Sequence, residues 1–269
     1  MEVIEQVEEW RKQYAGWLAK PGAAGETVGD DYPFVVNARA PFVPARRALP
    51  MLNLALISSA GAYIDGTEHF DVNAPGGDTS VREIPIQVQA RDILFGARGY
   101  DPRFVRQDIN SQVPIDRLLE FADNGVIGQL NPVWWSFCGF IPDAERLVDK
   151  LLPGLIERLE RYEVQAALLI PASRLCHQSI ALVARGLEDA GIPTIMLAVE
   201  TDVIERVNPP RAGFYNGELG SVAGQPLFPE HQRRVLDEAL RWLEPIDQPT
   251  IRKLVVDLES KIENDRGER

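Results

Sequence analysis

The chain has 269 residues, of which 45% are apolar, 25% charged and 8% aromatic, enough for one large α/β domain with a sizeable core. Its 28 lysines and arginines against 40 aspartates and glutamates leave a net charge of −12. No Lys/Arg-dense run breaks that balance, so nucleic acid and anionic membrane are excluded as main partners, because phosphate binding needs clustered cations.

Apolar positions Val3, Val7, Trp10, Tyr14 and Leu18 recur at helical spacing and predict an amphipathic helix over residues 2 to 19. It ends near Pro21 and Gly22, and the Pro-rich stretch to residue 50 reads as a long extended connection wrapping the domain. LNLALISS (52 to 59) is a continuous apolar run, the pattern of a strand buried on both faces. The stretch 63 to 112, rich in Gly, Asp, Arg and Pro, reads as a functional loop region. Further buried strands are expected at 125 to 130, 164 to 172 and 192 to 199, with helices at 114 to 123, 142 to 161, 177 to 190 and 229 to 243. Their alternation predicts an α/β fold, a mostly parallel sheet covered by helices on both faces, with an N-terminal helix and extended arm. The expected divisions are 1–50 for helix and arm, 51–245 for the α/β domain and 246–269 for a charged helical tail that frays. Ligands in such a fold sit beyond the carboxyl ends of the strands.

Two cysteines, Cys138 and Cys176, are too few for a disulfide framework or a four-thiolate zinc site. The acidic N-terminus lacks the basic start and cleavage site of a secretory signal, and no apolar run approaches a membrane span. The expectation is a cytoplasmic protein. P-loop, complete G-x-G-x-x-G, H-E-x-x-H and C-x-x-C motifs are all missing. The histidines His69, His177 and His231 have no metal-ligand spacing, so neither metal nor cofactor is expected.

Cys176 opens the helix after a buried strand, where unpaired amides and the helix dipole favour a thiolate. His177 beside it could add a positive charge or shuttle a proton, although neighbours on a helix point in different directions. The competing reading is a small buried cysteine that fills space. Cys138, in NPVWWSFCGFIPDAERL, also lies between a strand and a helix and could share the cleft, though Phe137 and Phe140 make an apolar setting that raises a thiol pKa. Two thiols in one pocket would suit a disulfide cycle or two-base proton transfer.

Four segments together carry a resemblance: LISSAGAYIDGTEHFDVNAPGGDTSVREIP, DINSQVPIDRLLEFADNGVIGQL, LIPASRLCHQSIALVARGLEDAGIPTIML and NPPRAGFYNGELGSVAGQP. In this order, over residues 50 to 245, they resemble the selenoprotein B family of glycine, sarcosine, betaine and D-proline reductases. The resemblance implies an α/β subunit that attacks a carbon-nitrogen bond with a selenolate or thiolate and is reset by reduction. Amine-cleaving members carry selenocysteine-x-x-Cys-x-x-Cys before a helix ending in Ala-Gly-Ile-Pro. Counting back from Ala190, this chain has Ser173, Cys176 and Ser179 at those places. A shift of three residues would make Cys176 the nucleophile itself; in either register the full motif is absent. Other family-like positions are Ser58, Ser59, Asp78, Arg82, Glu83, Asp108, Asn110 and Arg211. Arg82 and Arg211 could clamp a substrate carboxylate, and Glu83 or Asp108 could hold an amine or act as general base. Equally, Asp108 and Asn110 could cap the next helix, and Arg82 could pair with a surface acid.

The expected function is a reductase-like enzyme in which the Cys176 thiolate replaces selenocysteine and cleaves a bond in a small-molecule substrate. An external thiol or thioredoxin-like reductant would reset it. The alternatives are a cofactor-independent racemase or isomerase using both cysteines, and a non-catalytic small-ligand-binding homologue. A homo-oligomer is allowed. The carrier and acetyl-transferring partners that the resemblance implies are put in doubt by the incomplete motif.

Overall fold

The computed structural model describes residues 2–23, 25–244 and 247–256. Helix α1 (Val7–Leu18) starts later than expected and buries Trp10 and Trp17 on one face. The arm that follows has no regular element before a 3-10 turn at Leu49–Met51. Its amides and carbonyls are met by side chains of the domain. Gln178 Oε1 accepts from Val35 N at 2.8 Å, Glu188 Oε2 accepts from Val43 N at 2.6 Å, and the fully buried Arg185 donates to the carbonyls of Val3, Arg39 and Asn208.

The apolar run at 52 to 59 forms β1 (Asn53–Ser58). The stretch read as loop is more structured than its composition indicates: it holds β2 (Ala62–Ile64), β3 (Arg82–Pro85), β4 (Ile93–Phe95) and α2 (Arg103–Gln107). β2 and β4 pair antiparallel as a separate ribbon. These strands are three or four residues long, too short to leave a period-2 signal against glycine and proline.

After α3 (Ile115–Asp123), the segment expected as one strand yields only the two-residue β5 (Gln129–Leu130), and the longer β6 (Val133–Ser136) follows. Trp134 and Trp135 of β6 are both fully buried, one on each face of the sheet. The next helical stretch is α4 (Ala144–Arg146), a π turn at Leu147–Leu151 and α5 (Leu152–Arg161). Pro153 in the first turn of α5 has no amide hydrogen to donate, and the ladder widens just before it. Then come β7 (Ala166–Ile170), α6 (Arg174–Asp189), β8 (Thr194–Ala198), α7 (Thr201–Val207), β9 (Arg211–Phe214), α8 (Pro229–Leu240) and β10 (Thr250–Lys253). Residues 250 to 253, expected within the charged tail, instead pair parallel with β9, and the tail from 257 onward lies outside the described residues.

The strand order is β10-β9-β8-β7-β1-β6-β3, with β5 also on β1. Every pair in this sheet is parallel except β3 with β6. Side chains alternate between faces, which builds two cores. Ala55, Ile57, Ala167, Leu169 and Met196 pack with α1, α5, α6 and α7, whereas Leu54, Leu56, Leu168, Ile195 and Leu197 pack with α3 and α8. β1 and β7 are neighbours, yet the chain leaves β1 toward β6 and leaves β7 toward β8. The order reverses there, and the switch-point crevice beyond Ser58 and Ile170 is filled by buried side chains.

Candidate functional site

Helix α6 begins at that crevice. Ser173 is its N-cap, with extended backbone and Oγ accepting from Cys176 N at 3.1 Å. Cys176, the third residue of the helix, is 1% exposed, and its Sγ donates to Ser59 O at 3.6 Å. Ser59 stitches the two diverging strands: its amide donates to Ile170 O at 3.1 Å and its Oγ accepts from Ala172 N at 3.2 Å. Ser58, also buried, accepts from Ala60 N at 3.4 Å.

Gly139 completes the corner. Its amide donates to Ser59 O at 3.0 Å, and Ser179 Oγ donates to Gly139 O at 2.7 Å. A Cβ here would lie 2.4 Å from Ser59 Cβ and 2.8 Å from Cys176 Sγ, so the position admits only glycine. The adjacent Cys138 forms an antiparallel bridge with Ala60, and its Sγ donates to Gly96 O at 3.6 Å. Burial pushes the Cys138 thiol up to about 12, with the nearby Cys176 adding to the shift. Phe95 and Tyr100 pack over Ala60, Ala172 and Cys176. The Tyr100 hydroxyl donates to Ala60 O at 2.7 Å, and burial, then the two thiols, push the phenol well above its usual range.

His177 does not carry protons to Cys176. Its ring is fully buried, with Nε2 accepting from Val199 N at 3.0 Å and Nδ1 at 2.7 Å from Ser173 O. The backbone amide can only donate, so Nδ1 carries the hydrogen and the ring is neutral. Burial brings its pKa down to about 4. The ring therefore ties the start of α6 to the end of β8.

The expected substrate clamps are used for structure. Arg211 is fully buried, paired with Glu188, bonded to Val43 O at 2.7 Å and stacked 4.1 Å from the Phe42 ring. Arg82 donates to Glu68 O at 3.2 Å and lies 4.5 Å over Phe70. Glu83 pairs with Arg158 at 3.1 Å and Arg161 at 2.7 Å on α5. Asp108 caps the 3-10 turn Ile109–Ser111 through Asn110 N at 3.0 Å, and also accepts from Leu227 N and Gln232 Nε2. Asn110 bonds Asp116 through both its amide atoms. Asp78 accepts from Asp71 N, Ser80 N and Ser80 Oγ; burial raises its carboxyl, but these bonds outweigh it and hold the group low. It lies near enough to Cys138 to disfavour that thiolate.

The structure thus gathers Ser58, Ser59, Cys138, Ser173, Cys176 and Ser179 at the crevice and leaves Arg82, Glu83, Asp108, Asn110 and Arg211 with partners elsewhere. Sequence reading missed Gly139 and Tyr100. The sequence holds no signal for either, because each is defined by what lies across the fold. A cavity of about 540 Å³, lined by Phe104, Gln107, Tyr215, Glu218, Gln225 and His231, opens at the carboxyl end of β9. Gly217, Glu218 and Ser221 line it, and between them Gly220 N donates to Ala172 O at 2.9 Å. Among the described residues no cluster of three His, Cys, Asp or Glu side chains could hold a metal, and no helix is long and apolar enough to cross a membrane.

The chain is 31% identical over 214 residues to the D-proline reductase subunit gamma of Acetoanaerobium sticklandii, a match covering 80% of this chain and 86% of that protein. It is 25% identical over 245 residues to the glycine reductase complex component B subunit gamma of Symbiobacterium thermophilum, covering 84% of this chain but 54% of that subunit. The sarcosine reductase complex component B subunit beta of Peptoclostridium acidaminophilum is 27% identical over 179 residues, 65% of this chain and 40% of its own length. The chain spans about half the length of the glycine reductase relative, and less of the sarcosine reductase one. No protein-family model and no solved structure matches it.

Proposed function

The chain belongs to the selenoprotein B family of glycine, sarcosine and D-proline reductase complex subunits, and on that premise we propose that it is a substrate-cleaving subunit in which Cys176 supplies the attacking sulfur. The observation that carries the reading is the position of Cys176: a thiol in the first turn of α6, at the point where the strand order reverses. Ser173 does not compete for the role, because its hydroxyl caps the helix and a serine alkoxide is far less accessible than a thiolate. Attack forms a carbon-sulfur bond and breaks the substrate's carbon-nitrogen bond, the amine leaving with the thiol proton. Two equivalents of an external thiol, or a thioredoxin-like dithiol, then cleave the thioether. They return Cys176 as a thiol, release the carbon fragment with a hydrogen, and become a disulfide.

The test incubates the protein with glycine, sarcosine or D-proline and dithiothreitol. Released or ring-opened amine and a mass adduct on the Cys176 peptide are expected in the wild type and not in Cys176→Ala. Turnover that persists in Cys176→Ala overturns the reading.

Two-base racemisation is disfavoured by one observation. Cys138 is buried with its Sγ donating to Gly96 O, and burial pushes its thiol up to about 12, against the thiolate form. Solvent deuterium entering the substrate, lost in Cys138→Ala, would restore that alternative. The depth of both thiols favours a second reading, a ligand-binding subunit without turnover. Substrate binding with no adduct and no released amine would establish it.

A further inference from the structure

We propose that residues 95 to 100 form a lid over Cys176, latched by the hydrogen bond from the Tyr100 hydroxyl to Ala60 O. The inference rests on the reading of Cys176 as the reacting group, because a sulfur with 1% exposure must be uncovered before it meets any substrate.

Phe95 and Tyr100 bracket the segment and pack directly on the Cys176 cluster. Open space lies outside both. A cavity of about 410 Å³, lined by Glu26, Val72, Asn73, Arg98, Gly99 and Tyr100, ends at one aromatic ring. A second, of about 450 Å³ and lined in part by Phe95, Val105 and Arg106, ends at the other. Displacing the Tyr100 ring would join an existing cavity to the thiol and leave the central sheet intact, whereas Phe95 is the last residue of β4.

Phe95 pairs with Ala62 at the end of the β2–β4 ribbon, and Gly220 lies against the Tyr100 ring. Gly96 N donates to Gly61 O at 2.8 Å, Cys138 Sγ donates to Gly96 O at 3.6 Å, and Tyr100 donates to Ala60 O at 2.7 Å. Arg98 donates to Val72 O and Gly25 O and lies 4.3 Å over the Phe140 ring. Gly99 has φ +78°, and a Cβ there would lie 2.8 Å from the Phe140 ring and 3.2 Å from Ser173 Cβ, so the lid seats flush on the helix cap. Glycines at 96 and 99 provide the backbone freedom that a hinge needs. Tyr100 is therefore a positioning residue: it controls access and takes no part in bond making.

The test needs no substrate, so its failure is distinguishable from a failure of the catalytic reading. The full chain is alkylated with iodoacetamide at a series of low urea concentrations, and the Cys176 peptide is followed by mass spectrometry. Labelling through a lid opens with little dependence on urea, whereas labelling through global unfolding follows the full denaturant slope. Tyr100→Phe keeps the ring and removes one neutral hydrogen bond, and is expected to speed Cys176 labelling about 2- to 10-fold. Equal rates in wild type and Tyr100→Phe, or labelling of both that tracks global unfolding, would overturn the proposal. Should Tyr100→Phe fail to fold, hydrogen exchange of the unaltered protein decides. Peptides over 95 to 101 exchanging faster than those over 53 to 58 support the lid; equal protection overturns it.

Discussion

A proton on His177 has no place in the folded chain, since one ring nitrogen accepts from Val199 N and the other donates to Ser173 O. Its folded pKa of about 4 lies below the usual 6.5. Below pH 6.5 the unfolded chain therefore binds a proton that the folded chain refuses. The stabilising contribution is complete above pH 6.5 and is lost as pH falls toward 4, reaching about 3 kcal/mol. Urea midpoints measured from pH 7 to 4 should fall with this extra one-proton slope, and His177→Gln should flatten it. The same residues show what was legible. A cysteine just after a buried strand and before an apolar helical ridge is a local signal, and the helix expected to carry Cys176 in its first turn is there. Arg211 was misassigned because its partner, Glu188, is 23 residues away, and only the fold reveals that the pair is buried. Glu83 likewise meets Arg161 across 78 residues.

Helix α6 fits closely against α5. A Cβ on Gly186 would lie 2.2 Å from Leu152 Cδ2, inside a well-packed side chain. Gly186→Ala, normally favourable in a helix interior, should here destabilise by about 1–3 kcal/mol, read as a lowered urea midpoint with unchanged slope. Elements with long apolar runs or helical periodicity were legible in the sequence: β1, β7, β8, α3, α6 and α8 all lie where expected. The elements missed are short or lie at edges. β9 and β10 have four residues each, α7 has seven, and β3 is an antiparallel edge strand, so too few side chains repeat for a period to emerge. The lid segment belongs to this illegible class, and so does its latch.

Across the whole molecule, the N-terminal arm and the α/β domain are joined through buried polar groups on α6. Gln178, Arg185 and Glu188 each bond the backbone of the first 45 residues, and Arg211 adds Val43 O and the Phe42 ring. Removing one partner of a buried pair leaves the other charge uncompensated, typically at a cost of about 3–5 kcal/mol. Arg211→Met should lower the melting temperature accordingly, and should also release the arm, so that trypsin cleaves at Arg46 and Arg47 well before the domain is digested. Cleavage there at the wild-type rate would show that the arm is held without this pair.

The crevice that holds Cys176 is built from strands far apart along the chain, for Ser59 and Ala172 meet across 113 residues. At roughly 5–20 residues per second of synthesis, β1 waits about 6–23 s for the neighbour that will cover its flank. Cys138 emerges within that interval, and Cys176 only after it. Both sulfurs are therefore open to oxidants and stray disulfide partners on the ribosome, and the burial that shields them in the finished protein arrives last. Yield of folded protein should be more sensitive to the redox state of the cell during translation than to that of the buffer afterwards.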